Sequence, residues 1–191
     1  ALVNPEIGHK SIGEVNLPYL DKAKLYKLNN GQNVVIVRKP GPTTVRTFVK
    51  TGSFNEPDNL RGISHYIEHN LFNGSKSLAP GQFVEIVNRM GASYNASTGF
   101  LATDYYIISP LHKSNDLENI IKMQADMVKY PLFTPEMLEK ERGPVISELQ
   151  MYGDKPASIA ENTLIKTLFN IQTNSGDLIG GSVKNIENVT R

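Results

Sequence analysis

Residues 65–69 read His-Tyr-Ile-Glu-His, and this pentapeptide constrains the chain more than any other stretch. Histidines four residues apart project from one face of an α-helix, about one turn apart, which lets both reach a single metal ion. The surrounding pattern supports a helix from Asn59 to Phe72, because Leu60, Ile63, Ile67 and Leu71 fall on one apolar stripe. At about 100° per residue, His65, Glu68, His69 and Phe72 gather on the opposite side. One face is therefore expected to pack into the core while the other presents polar side chains. Asp58 or Asn59 is the expected cap, and Gly74 the expected stop.

A pair of histidines at this spacing also suits a solvated or core-packed helix, so a metal site needs a third ligand. The chain has no cysteine and only four histidines, with His9 and His112 isolated in expected loops. That excludes a disulfide framework, a thiol nucleophile and a thiolate site. The third ligand is then a carboxylate. A later helix, starting at Thr134 with Pro135 in its first turn, offers Glu136, Glu139, Glu141 and Glu148. Glu148 is the better candidate, since an unpaired carboxylate within Val145-Ile146-Ser147-Glu148-Leu149 would be expensive. Glu141 lies seven residues before it, two turns away on the same face. Pro144, between them, removes one backbone hydrogen bond and is expected to kink the helix.

The remaining pattern is that of an ordinary globular chain. It has 191 residues, 39% of them hydrophobic and 20% charged, with a formal net charge of +1. Nothing in that balance favours nucleic acid or an anionic membrane. No apolar run approaches the roughly 20 residues of a membrane-spanning helix. A soluble, cytoplasmic setting is the default expectation, and the sequence carries no direct signal for a compartment. The chain opens on Ala1 rather than Met and stops at Arg191, as expected of a processed protein or a fragment. Residues 1–20 read as an N-terminal arm or loop, and 21–191 as the site-bearing domain.

Tyr26–Leu28 and Val34–Val37 flank Asn29-Asn30-Gly31-Gln32, a hairpin signal. Thr43–Lys50 reads as a third strand, and Ala92–Thr98 and Thr103–Ser109 as two more. Further helices are expected over Pro80–Met90, Leu117–Lys129 and Ser158–Phe169, followed by an irregular tail through Gly180 and Gly181. Hairpins and helices are grouped rather than strictly alternating. That predicts an α+β fold with a mostly antiparallel sheet and helices packed on one face.

These residues resemble a known family. His65 to His69, followed by Asn70-Leu71-Phe72-Asn73-Gly74-Ser75, looks like the inverted zinc motif of the pitrilysin, insulin-degrading enzyme and mitochondrial processing peptidase family. Glu141 and Glu148, in E-R-G-P-V-I-S-E-L-Q-M-Y, match its two downstream glutamates. Gly91 to Thr98 resembles its G-x-x-x-N-A-x-T strand, and Asp126-Met127-Val128 with Pro131 and Phe133 its D-M-V-x-x-P-x-F stretch. The likeness runs from about Leu25 to the end. Asn70 is a departure, standing where the family commonly has Met or Leu, and is expected to alter packing rather than chemistry.

The resemblance implies a zinc endopeptidase half-domain of the pitrilysin type acting on unfolded peptides. It implies one Zn2+ per chain, held by His65, His69 and Glu148, with Glu68 as general base. It further implies Glu141 in support of the site, and Asn95 and Ala96 contacting a peptide added as an extra strand. A second, similar half, in the same parent chain or as a partner subunit, is expected to complete the machinery. The alternative is a non-catalytic structural or presequence-binding subunit of a processing-peptidase-like heterodimer, although such relatives typically lose motif residues that are all present here. A metal-dependent lyase of the S-ribosylhomocysteine-cleaving kind is disfavoured, because that family uses a cysteine ligand.

Overall fold

Strand pairing begins with the Asn-Gly hairpin. In the computed structural model, which describes residues 8–16, 22–171, 173 and 177–190 (His9 by its backbone alone), β2 (Ala23–Leu28) pairs antiparallel with β3 (Asn33–Ile36). Gly31 takes φ 88° in the turn, where Gly31 N donates to Leu28 O at 2.9 Å. That left-handed conformation is what glycine supplies without steric cost.

The expected N-terminal arm is corrected in part. His9–Val15 forms strand β1, paired antiparallel with β2, giving the order β1-β2-β3. A register shift between Ser11 and Gly13, with Gly13 at φ 148°, breaks the alternation that would have marked a strand. Residues 1–7 and 17–21 of that stretch lie outside the described residues. These three strands belong to one compact unit, 1–42, and the remainder to a second, 43–191.

The second unit is built on an antiparallel sheet in the order β4-β6-β5, comprising β4 (Thr43–Val49), β5 (Ser93–Thr98) and β6 (Thr103–Ser109). Val45 pairs with Ile107, and Asn95 with Tyr106. Among the described residues the helices are α1 (Ile63–Asn70), α2 (Gln82–Arg89), α3 (Asp116–Lys129), α4 (Pro135–Gly153), α5 (Pro156–Leu168) and α6 (Val183–Asn188). One face of the sheet carries Val45, Tyr105 and Ile107 into a core shared with Leu71, Phe83, Val87, Ile120, Met123 and Met127. The other leaves Phe48 63% exposed. The fold is α+β, and the helices that pack on the sheet use one face.

A second apolar cluster joins α1, α4 and α6 through Tyr66, Leu138, Val145, Leu149 and Ile186. Each such side chain contributes on the order of 1.5–3 kcal/mol by leaving water. Helix α1 is thus wedged between two clusters, and this corrects the expected single stripe. Leu60 is 41% exposed in a 3-10 turn, whereas Ser64, Tyr66, Glu68 and Asn70 are buried. The helix starts only after Gly62, so Asp58 and Asn59 do not cap it. The irregular tail is also corrected: α6 forms at residues 183–188, with Ser182 Oγ accepting from Asn185 N at 3.2 Å and Ile186 fully buried. Six residues carry too little periodicity to announce a helix that depends on its partner for burial.

Candidate metal centre

The entry to α1 is held from three directions. Glu56, itself buried, accepts from Gly62 N at 2.8 Å and from Ser64 N at 2.7 Å, satisfying donors that the first turn leaves free. Gly62 sits at φ 98° against the backbone of Gly180, where a Cβ would overlap the carbonyl. Asn185 Nδ2 donates to Arg61 O at 3.2 Å. At its middle, α1 is tied to α4 by the Tyr66 hydroxyl, which donates to Leu138 O. Arg142 then links α4 to α6 by donating to the carbonyls of Ile186 and Val189. Two helices from distant parts of the chain are thereby fixed side by side.

Their facing surfaces bring His65, His69 and Glu148 together. One ligand atom from each lies within 4.8 Å of the other two. His69 Nε2 is 3.2 Å and His65 Nε2 is 3.7 Å from Glu148 Oε2. The imidazoles stand edge to face, 87° apart, with centroids at 4.8 Å. Tetrahedral zinc with bonds of about 2.0–2.2 Å sets neighbouring donors roughly 3.3–3.6 Å apart, so both histidine–Glu148 separations suit the ion and the donor set fits it once its widest pair draws together. Two neutral imidazoles and one carboxylate are also a common donor chemistry for catalytic zinc. Burial, and then the neighbouring His69, hold the His65 imidazole below the usual histidine range, against the pull of Glu68, Glu148 and Asp177. A neutral ring is the form that can donate a lone pair to a metal. His65 Nδ1 is buried and has no hydrogen-bond partner among the described residues.

Glu68 occupies the buried side of the same helix, where its Oε2 accepts from Thr98 Oγ1 at 2.6 Å. Thr98 ends β5, an outer strand of its three-stranded sheet. Asn95 and Ala96 lie on the same strand, with Asn95 Oδ1 accepting from Ala96 N at 2.9 Å. Both share with Thr98 the strand that packs beside α1. Glu141 Oε2 lies 3.8 Å from His69 Nδ1, and its Oε1 accepts from Asn73 Nδ2 at 3.0 Å. Helix α4 runs unbroken through Pro144, so both glutamates face His69. The missing N–H of Pro144 leaves one carbonyl without its helical partner, and the helix continues to Gly153.

Asn70 belongs to packing: it is buried, its Nδ2 donates to Tyr66 O at 2.8 Å, and it contacts none of the candidate ligands by hydrogen bond. Sequence reasoning passed over Glu56, Asn73, the tie from Thr98 to Glu68, and the influence of Asp177 on His65. Thr98 stood inside a recognised strand pattern and Asn73 inside the motif stretch that follows His69, but nothing local marks Glu56 or Asp177 as neighbours of the site.

The family model described as Insulinase (Peptidase family M16) matches residues 34–182. The chain is 30% identical over 148 residues to the uncharacterized zinc protease YmxG of Bacillus subtilis (strain 168), covering 76% of this chain and 36% of that protein. It is 28% identical over 184 residues to the mitochondrial-processing peptidase subunit beta of Dictyostelium discoideum, covering 95% of this chain and 38% of that one. A crystal structure of a protease from Helicobacter pylori superposes with a TM-score of 0.74 at 29% identity, covering 90% of this chain and 41% of its own. The chain thus spans less than half the length of each of these proteins.

Proposed function

This chain belongs to the insulinase family, peptidase family M16, and we propose that within it the chain is the metal-binding catalytic half of a zinc endopeptidase. The observation that carries the reading is the meeting of His65, His69 and Glu148 within 4.8 Å, beside a Glu68 carboxylate steadied by Thr98. When bound, zinc supplies an acidified water and a Lewis acid for the scissile carbonyl. His65, His69 and Glu148 hold the ion, and Glu141 faces the back of His69. Glu68 accepts the proton of the attacking water and delivers it to the departing amine, so one carboxylate serves as base and then acid. The hydrogen bond from Thr98 keeps one Glu68 oxygen engaged, which limits the rotation of the carboxylate.

The β5 edge suits an extended, unfolded peptide added as a further strand, with Asn95 and Ala96 at its centre. Asn95 Oδ1 occupies the Ala96 N–H, a donor that an incoming strand would take over. The half-domain, residues 21–191 with its hairpin included, requires a second similar half for full turnover, in a longer parent chain or as a partner subunit. The test is zinc content and peptide cleavage by the assembled protein, with Glu68→Gln beside the wild type. Bound zinc with cleavage abolished by Glu68→Gln supports the reading. Bound zinc without turnover in the complete assembly would assign the chain to a non-catalytic subunit instead.

A further inference from the structure

Helix α1 does not end where its ligands end. Leu71 keeps helical angles (φ −63°, ψ −24°), and a 3-10 turn carries the chain through Leu71–Asn73. Asn73 therefore follows His69 by four residues on a continuing helical path, which places it about one turn further on the same side. Gly74 then turns sharply at φ 155°, with Met137 of α4 so close that a Cβ would meet its Cε at 2.9 Å. That close approach seats Asn73 against α4. There its Nδ2 donates to Glu141 Oε1 at 3.0 Å, and its Oδ1 accepts from Lys140 Nζ at 3.5 Å.

We infer that Asn73 is a positioning residue for the metal centre, acting through Glu141 on His69. The inference rests on the zinc site proposed above. A glutamate carboxylate at the end of three rotatable bonds has no fixed direction by itself. With Oε1 engaged by Asn73, its Oε2 is left 3.8 Å from His69 Nδ1. The Nε2 of His69 is the nitrogen turned toward Glu148, at 3.2 Å. An imidazole that ligates through Nε2 carries its proton on Nδ1, and the group facing Nδ1 sets the ring's orientation. The order of action is Asn73 to Glu141 to His69, with Lys140 holding the Asn73 amide in the orientation that donates.

The test is a double-substitution cycle on the full chain, read as zinc affinity by competition with a chromophoric chelator. Outer-shell changes cost about 10–100-fold in metal affinity, so Glu141→Gln is expected in that range and Asn73→Ala, one link further out, at about three- to tenfold. In the Glu141→Gln background, Asn73→Ala is expected to have less than about a twofold effect, because the group it acts through is already disabled. The nitrogen resonances of His69 in the zinc-loaded chain provide a second readout, with the Nδ1 signal expected to shift in Asn73→Ala as it does in Glu141→Gln. An Asn73→Ala protein that binds zinc like the wild type overturns the inference. So does an equal loss in both backgrounds, since that is the mark of general destabilisation. Failure of the wild type to bind zinc overturns the proposed function itself, and is told apart by the wild-type measurement alone.

Discussion

Replacing Glu56 by Ala tests how the metal-bearing helix is held. Glu56 is 7% exposed and accepts from Gly62 N at 2.8 Å and Ser64 N at 2.7 Å. The substitution leaves two buried N–H groups facing a void. Each orphaned donor costs on the order of 1–3 kcal/mol, while removing a buried carboxylate relieves part of its own desolvation penalty. The expected net loss is about 3 kcal/mol, clearly above the ~1 kcal/mol of an ordinary cap. For a unit of this size that lowers Tm by roughly 6–12 °C. Thermal and urea unfolding followed by far-UV circular dichroism measures it. Glu56→Gln keeps one acceptor but turns an NH2 group toward the second donor, and is expected to fall between wild type and Ala. A Glu56→Ala loss below about 1 kcal/mol would refute the reasoning and transfer the role to the Gly62–Gly180 contact and Asn185.

Gly62→Ala puts a Cβ into the Gly180 carbonyl at φ 98°; with a left-handed penalty of about 1–2 kcal/mol before any overlap, the expected loss is at least about 2 kcal/mol in urea unfolding, and a neutral result contradicts the packing described. Thr98→Val removes the 2.6 Å hydrogen bond to Glu68; the expected result is unchanged zinc content with kcat/KM for peptide cleavage lowered about tenfold, or ~1.4 kcal/mol. Acid should weaken the metal-free chain through His65, whose folded pKa is held below its unfolded value, chiefly by burial. The unfolded state then binds the proton more readily, so this contribution is complete above the unfolded value of about 6.5 and is lost as pH falls below it. Urea midpoints measured on either side of that pH should fall toward acid, and His65→Gln should flatten the slope.

Elements with a strong local signal are legible in the sequence. Strand β6 lies at Thr103–Ser109 as expected, and α3 and α4 begin within a residue of their expected starts. Their periods, caps and Pro135 are written within a few neighbouring residues. Strand β1 was hidden by a bulge at Gly13, and α6 by its dependence on α4 for burial. The three side chains singled out as candidate ligands are the ones that meet, because helical spacing handles His65 and His69 and the apolar run around Glu148 marks a carboxylate in need of a partner. What holds them was not legible. Glu56 caps a helix from eight residues before Ser64, and Asn73 reaches Glu141 across 68 residues of chain. Such contacts arise only when separate elements are folded against each other.

The most direct measurement is an anomalous-scattering map of crystals grown with zinc, collected on both sides of the zinc absorption edge. The expected result is one peak, about 2.0–2.2 Å from a nitrogen of His65, a nitrogen of His69 and an oxygen of Glu148, with Glu68 and Glu141 outside the ligand set. A peak ligated by Glu141 in place of Glu148, or no peak between α1 and α4, would contradict it.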